Sequence, residues 1–405
     1  MTYNFDEIID RRNTNSENVE GWRPYIFHCG PERVFPYKDE EFIRMWVADM
    51  EFAVAPEILQ AITDRVDRRI LGYTLVYDKG YYEALRAWCE SRYGWSFPKE
   101  QLTFSPGVIP ALYQLTEDLV KPLNGKVLTM TPAYGFFLHA CEYNGVELVT
   151  SPLREENGRF SVDWEDLEAK AADPDVKLLM LCNPHNPTGR IWTEDELRRA
   201  GEIMRKYNLW VVSDEIHCDL IRTGLRHTPL GKIMPDYDRL ITCMSASKTF
   251  NLAGLVGSYS IIYNSWLRDR VRKEASLSHY NEQNMLSMYA LIGAYQPEGY
   301  EWLEELRQVL RGNVDYACDF IRENFPGVHF SKPQGTYMLF VDCTDWCAAH
   351  DKTIDDVEQA CWDVGVAIQD GRMFHGSCHI RMNLALPLSR VQEAFHRMDR
   401  YVFNA

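Results

Sequence analysis

Three features are missing from this sequence, and each absence argues against a class of protein. The eleven cysteines include no Cys-x-x-Cys pair, so their spacing indicates neither a zinc site nor a redox dithiol. No apolar run reaches the ~18 residues of a membrane-spanning helix. Lysine and arginine number 43 against 59 acidic residues and form no basic stripe. We therefore predict no metal ion, no membrane partner and no nucleic-acid partner.

What remains is the composition of an ordinary globular protein. Hydrophobic residues make up 46% of the 405 positions and charged residues 25%, with a net charge of -16, which favours a small substrate over a polyanion. The segment from Met1 to Glu7 lacks the basic and apolar regions of a secretory signal. Scattered thiols suit a reducing compartment, so we expect a cytoplasmic protein that acts on a small molecule.

Short apolar runs alternate with helical patterns from Met45 onward, which predicts an α/β domain with a mainly parallel sheet. Predicted strands lie at 126–130, 176–182, 209–213, 239–244 and 258–263. Helices are predicted at 109–120 and at 193–207, where Thr193 and Glu196 have the spacing of a capping box.

The pattern changes after Tyr295 to that of a smaller α+β module. It has helices at 300–324 and 354–364 and strands near 337–341 and 380–385. We expect an N-terminal arm and part of the small domain at 1–48, a large domain at 49–295 and the rest of the small domain at 296–405.

Two charged side chains follow predicted strands. Lys248 lies in Met-Ser-Ala-Ser-Lys-Thr-Phe-Asn-Leu-Ala-Gly, where small neighbours allow a ligand to approach, although a solvated loop lysine is the usual fate of such a residue. Asp214 ends the apolar run Val-Val-Ser-Asp, and its carboxylate is costly to bury without a cationic partner. On this fragment alone, an exposed acid or helix cap is an equally good interpretation.

Two turns offer hydrogen bonds. Asn183 opens Asn-Pro-His-Asn-Pro-Thr-Gly, a rigid turn from which its amide can donate to an oxygen anion; this is the most specific signal in the chain. The backbone N–H groups of Gly107, Val108 and Ile109, at the start of a predicted helix, are suited to binding a phosphate with help from the hydroxyl of Ser245. A glycine turn before a helix is common, so the phosphate signal is weak alone.

Two further side chains complete the set. Tyr134 offers a ring that could stack on a flat ligand, and it fits a core aromatic equally well. Arg381 lies within an apolar strand and calls for a buried anion, either a substrate α-carboxylate or an internal acid.

Together these residues match the requirements of pyridoxal 5'-phosphate (PLP). That cofactor needs an amine for its aldehyde, an anion cradle for its phosphate, an acid beside its ring nitrogen and an aromatic face. Lys248 is predicted to hold it as a Schiff base.

In order and spacing, Asn183, Asp214, Ser245-x-x-Lys248 and Arg381 resemble the fold-type I, class I/II aminotransferase superfamily over nearly the whole chain. The segments that begin at Trp46, Asn183, Asp214 and Lys248 are similar to its cystathionine β-lyase (C-S lyase) branch. The resemblance implies an aspartate aminotransferase-like fold with a mainly parallel seven-stranded sheet. It also implies a homodimer with shared active sites, in which Tyr73 reaches the partner's cofactor phosphate.

Two positions depart from the superfamily pattern. His217 stands where a tyrosine often contacts the ring oxygen, and Val256 stands where an arginine often binds the phosphate. Both changes fit the lyase branch better than an ordinary transaminase, although they leave the phosphate cradle incompletely assigned.

The resemblance implies α,β-elimination from L-cystathionine or a cysteine S-conjugate, which gives a thiol, pyruvate and ammonia, with Lys248 removing the α-proton. The alternatives are an aminotransferase with a 2-oxo acid partner, and a regulatory protein that binds the cofactor without turnover.

Overall fold

The computed structural model describes residues 1–75, 79–156, 158–278 and 283–404. Its strands are β1 Ile43–Arg44, β2 Leu102–Ser105, β3 Lys126–Thr131, β4 Glu147–Pro152, β5 Arg154–Glu156, β6 Arg159–Ser161, β7 Val176–Cys182, β8 Trp210–Asp214, β9 Leu240–Met244, β10 Ser258–Ile262, β11 His329–Phe330, β12 Met338–Asp342, β13 Val366–Ala367, β14 Gln369–Asp370 and β15 His379–Asn383.

The α-helices of the same ranges are α1 Glu17–Glu20, α2 Trp22–Tyr25, α3 Pro56–Val66, α4 Lys79–Tyr93, α5 Val108–Leu119, α6 Gly135–Asn144, α7 Trp164–Ala171, α8 Glu194–Lys206, α9 Leu230–Ile233, α10 Ala246–Thr249, α11 Ser265–Leu277, α12 Met285–Ala294, α13 Pro297–Asn324, α14 Thr344–His350, α15 Ile354–Asp363 and α16 Leu388–Met398. None of these helices combines the length and the hydropathy needed to cross a bilayer. The capping box predicted before α8 is present, because Thr193 and Glu196 each bond the other's backbone N–H.

The main sheet has seven strands in the order β2-β10-β9-β8-β7-β3-β4. Only β10 runs against its neighbours; the other pairs are parallel. Successive residues of β7 enter two different apolar cores, Leu179 and Leu181 on one face and Leu178 and Met180 on the other. A strand buried on both faces has a continuous apolar sequence, which explains why such strands can be recognised from sequence. The strand order and directions confirm the predicted α/β class and mainly parallel sheet.

A second, antiparallel sheet has the order β11-β12-β15-β14. Its core also contains side chains from α13, α15 and α16. The N-terminal strand β1 pairs in parallel with β13 of this C-terminal region. The smaller α+β module is therefore present, while the boundaries after residues 48 and 295 stay predictions.

The fold brings several loops to one edge of the main sheet. The parallel strands β7, β8 and β9 end at Cys182, Asp214 and Met244. Because parallel strands place their carboxyl ends at a common edge, the loops that follow these strands meet there.

Candidate active site

A cavity of about 200 Å³ lies at this edge. Eight of the predicted site residues line it, together with Ala48 and Asn186, two residues that had no predicted role of their own. The eight are Gly107, Val108, Ile109, Tyr134, Asp214, His217, Ser245 and Lys248. The sheet edge therefore brings together residues as distant in the sequence as Ala48 and Lys248, which are 200 positions apart.

Lys248 supplies an amine to the cavity. The residue belongs to α10, whose N-cap Ser245 accepts a hydrogen bond from the Ser247 N–H. Its Nζ donates to the carbonyl oxygen of Ala48 over 2.9 Å. Burial lowers the pKa of Lys248 to about 8, an effect that the carboxylate of Asp49 opposes. Roughly a tenth of the amine is therefore neutral at pH 7, far more than for an ordinary lysine, and the neutral form is the one that a nucleophile or general base requires.

Asp214 places a buried carboxyl group at the end of β8. Its Oδ1 accepts a hydrogen bond from the Ile216 N–H over 3.1 Å. Burial raises the pKa of Asp214 to about 7, with Glu215 adding to the rise and Lys248 opposing it. In the ranges that the structure describes, no cationic side chain forms an ion pair with this carboxylate. A cationic ligand group beside it would stabilise the ionised form.

The Asn-Pro turn contributes a different asparagine from the one predicted. The Nδ2 of Asn183 donates to the carbonyl oxygen of Thr228 over 3.1 Å. The backbone N–H of Asn183 donates to the carbonyl oxygen of Asp214 over 2.8 Å. Asn186 lines the cavity, and its Oδ1 accepts a hydrogen bond from Nη1 of Arg381 over 3.3 Å. The Nδ2 of Asn186 is therefore the amide donor available to a ligand, and Asn183 holds the turn against β8.

Arg381 lies in β15, beside the cavity. Its guanidinium donates to Asn186, to the carbonyl oxygen of Trp46 over 3.1 Å and to Oε1 of Gln369. It also lies 4.1 Å from the centre of the Phe374 ring. Burial lowers the pKa of Arg381 to about 10, so the group stays charged at neutral pH. No carboxylate of the described residues pairs with it, which leaves the positive charge available to an anionic ligand.

The N-terminal end of α5 faces the cavity. Gly107 is the N-cap of this helix and provides no side-chain cap. The N–H groups of the first turn have no partner within the helix, which favours an anion there. Ser245 lines the same cavity, although its hydroxyl already donates to the carbonyl oxygen of Gly257 over 2.7 Å.

His217 and Tyr337 form the remaining polar part of this region. Their rings meet edge to face, with centroids 6.3 Å apart. Burial lowers the pKa of His217 to about 3, and the nearby Lys248 and Arg381 add to this effect. The imidazole is therefore neutral. The hydroxyl of Tyr337 donates to the carbonyl of Ala48 over 2.9 Å, so it shares this acceptor with the lysine.

Tyr73 is the one predicted site residue that lies far from the cavity. Its side chain is 94% exposed, and it lines a separate surface cleft with Leu71 and Gln283. Within a single chain, Tyr73 has no part in the site.

Sequence reasoning missed several residues of the site. The carbonyl of Ala48 has no side-chain signature, and Asn186 was passed over in favour of its neighbour in the same turn. Asp219 could have been suspected, because it lies only five residues after Asp214 in a short segment that also contains Glu215 and His217. This buried carboxylate accepts a hydrogen bond from Thr249, next to Lys248, and pairs with Arg92.

Comparisons with known proteins agree with this geometry. The family model for aminotransferase class I and II matches residues 40–398, which is most of the chain. The chain belongs to the class I and II aminotransferase family. Cystathionine beta-lyase PatB of Bacillus subtilis is 35% identical over 358 residues, covering 87% of this chain and 91% of that protein. Protein MalY of Escherichia coli is 29% identical, covering 96% of each.

A solved structure is similar over almost the whole length. The PLP-bound C-S lyase from Staphylococcus hominis has a TM-score of 0.90 and 38% sequence identity, covering 99% of this chain and 98% of that one. The aspartate aminotransferase-like architecture expected from the sequence is thereby confirmed.

Both departures from the class I and II aminotransferase pattern lie in the wall of the cavity. His217 and Val256 line it. The backbone of Val256 has a φ of 53°, which is unfavourable for a β-branched residue. Among the described residues of the wall, Lys248 is the only cationic side chain, so a phosphate would be met mainly by N–H and hydroxyl groups.

Proposed function

We propose that this chain is a PLP-dependent C-S β-lyase that cleaves L-cystathionine or a cysteine S-conjugate to a thiol, pyruvate and ammonia. The observation that carries the proposal is a cavity lined by an amine, Lys248, and an acid, Asp214. Beside it lies the guanidinium of Arg381, which donates to the lining residue Asn186 and has no carboxylate partner among the described residues. The similarity to proteins named cystathionine beta-lyase and C-S lyase supports the same assignment.

The unsatisfied groups of the cavity fit PLP. Asp214 is a buried acid that needs a cation, and the protonated ring nitrogen is one. The amide of Asn186 and the neutral ring of His217 are suited to the ring oxygen, and the start of α5 is suited to the phosphate. Lys248 would hold the aldehyde carbon, with Tyr134 against the ring.

The chain's own groups handle the substrate. Arg381 would bind the α-carboxylate and so orient the α-carbon. When bound, PLP withdraws electrons from that carbon. Displaced from the cofactor by the amino group of the substrate, the neutral amine of Lys248 would take the α-proton, and the thiolate would leave the β-carbon with the bonding electron pair. The resulting 2-aminoacrylate is hydrolysed to pyruvate and ammonia, and the proton on Lys248 is available to the departing thiolate.

A homodimer in the cytoplasm is part of the proposal. Exposed apolar side chains surround Tyr73 in sequence, namely Ile70 at 74%, Leu71 at 66% and Leu75 at 77% exposure. A patch of this kind is typical of an interface. The partner subunit's Tyr73 would then add a hydroxyl donor to a phosphate site that has few cations. The unpaired cysteines are in keeping with the cytoplasm.

The test is to give purified protein L-cystathionine, to follow pyruvate with lactate dehydrogenase and to record the visible spectrum. We expect pyruvate and a thiol from a yellow protein. The Lys248→Ala variant should form no pyruvate and should lack the absorption band of the lysine-bound cofactor. A wild-type protein that forms no pyruvate, and loses its colour with amino acids but regains it with 2-oxo acids, would instead be an aminotransferase.

A further inference from the structure

An ion pair between Arg11 and Asp49 lies near the amine of Lys248. Nη2 of Arg11 contacts Oδ2 of Asp49 at 2.6 Å, and Nδ2 of Asn18 donates to Oδ1 of Asp49 over 2.7 Å. Both side chains of the ion pair are only partly exposed, at 26% for Arg11 and 20% for Asp49. Nη1 of Arg11 is buried and has no hydrogen-bond partner among the described residues. The guanidinium therefore keeps two N–H donors for an acceptor.

This ion pair lines a cavity of about 270 Å³ that adjoins the one around Lys248. Ala253 contributes to the walls of both, and Ala48, which accepts the lysine's hydrogen bond, immediately precedes Asp49. Asn251 fixes the lining residue Met50, since its side chain forms hydrogen bonds of 2.9 Å with both the N–H and the carbonyl of Met50. A ligand that extends from Lys248 toward Arg11 would pass Ala253, the residue that the two linings share.

The segment from Trp46 to Asp49 sets the distance between the groups around Lys248 and the Arg11–Asp49 ion pair. Arg381 contacts the carbonyl of Trp46, Lys248 contacts that of Ala48, and Arg11 contacts the side chain of Asp49. The chain bends at Trp46, Val47 and Ala48, so the ends of the segment lie closer together than the roughly 10 Å that three fully extended residues span. In a thioether that joins two amino acids through five single bonds, the two α-carbons lie roughly 6 Å apart. The spacing suits a substrate with one amino-acid group at Lys248 and Arg381 and another at Asp49 and Arg11.

We infer that Arg11 and Asp49 form a subsite for a zwitterionic leaving group, with Arg11 binding its carboxylate and Asp49 its ammonium. The inference rests on the proposed lyase function and narrows its substrate class to thioethers whose leaving thiol is itself an amino acid. Arg381 and Lys248 already account for the first amino-acid group, so the shared chemistry gives Arg11 and Asp49 no substrate contact. A purely structural ion pair that anchors the N-terminal arm is the competing explanation.

The test compares L-cystathionine with S-propyl-L-cysteine, which keeps the three carbons that follow sulfur but lacks the distal ammonium and carboxylate groups. The holoenzyme is assayed for kcat/KM with both substrates as wild type, Arg11→Met and Asp49→Asn. Arg12→Met is the matched control, because Arg12 is the neighbouring arm residue and pairs with Asp10 on the surface. In the Arg11 and Asp49 variants we expect the ratio of the two kcat/KM values, cystathionine over S-propyl, to fall about 30-fold, chiefly through KM. The control should keep the wild-type ratio.

A second measurement needs no variant. Wild-type enzyme should prefer L-cystathionine to S-propyl-L-cysteine, and S-(3-carboxypropyl)-L-cysteine, which keeps only the distal carboxylate, should fall between them. Equal kcat/KM for the first two substrates overturns the subsite, as does an equal loss with both substrates in the Arg11 variant, which is the result expected of an anchor. Pyruvate from neither substrate rejects the lyase function itself; pyruvate from S-propyl-L-cysteine without a preference rejects only the subsite.

Discussion

Replacing the two asparagines of the Asn-Pro turn separates a ligand contact from a structural one. Asn186→Ala removes the cavity donor and the acceptor of Nη1 of Arg381. Hydrogen bonds to charged groups contribute about 1.5–3 kcal/mol, so kcat/KM should fall roughly 10- to 150-fold. Asn183→Ala instead leaves the partly buried carbonyl of Thr228 without its donor, which should lower the free energy of unfolding by about 1–3 kcal/mol.

The two variants are measured side by side. Pyruvate-coupled kinetics give kcat/KM, urea unfolding gives stability, and a pH titration of the visible band reports the environment of the cofactor's ring oxygen. We expect Asn186→Ala to change the kinetics and the titration, and Asn183→Ala to change mainly the unfolding midpoint. If Asn183→Ala shifts the visible titration and lowers kcat/KM more than Asn186→Ala does, our placement of the ring-oxygen contact is wrong.

Three further predictions follow from buried groups and from the exposed Tyr73. Because burial lowers the pKa of Lys248 from 10.5 to about 8, the folded cofactor-free chain binds fewer protons than the unfolded chain between these values. Its unfolding free energy should therefore rise with pH across that window; an unchanged slope in Lys248→Met would contradict this. Thr249→Val removes the hydroxyl that donates to Asp219 over 3.0 Å, which should cost about 1–3 kcal/mol of stability in urea unfolding, and Thr249→Ser should recover most of it. Tyr73→Ala should make the protein lose more cofactor during gel filtration than the wild type does. Equal retention would count against a shared site, as would a monomeric mass for the wild type in sedimentation.

Some features depended on local sequence and could be predicted from it. The strand β7 was predicted at its observed bounds, because a strand buried on both faces is apolar throughout. The start of α8 followed from the reciprocal bonds of Thr193 and Glu196. Lys248 and Asp214 could be grouped in advance, since residues at the carboxyl ends of parallel strands meet at one edge whatever the intervening loops do.

Other features were decided only by the tertiary structure. Which asparagine of the turn faces the cavity depends on the path of its backbone, and both residues have the same side chain. The carbonyl of Ala48 is chemically like any other until the fold brings it to Lys248. Arg11 and Asp49 are 38 positions apart and meet because the N-terminal arm lies along the cavity. Sequence alone thus determined the main chemical groups of the site, because strand ends and motifs are local features. The orientation of these groups and the Arg11–Asp49 ion pair depended on long-range packing.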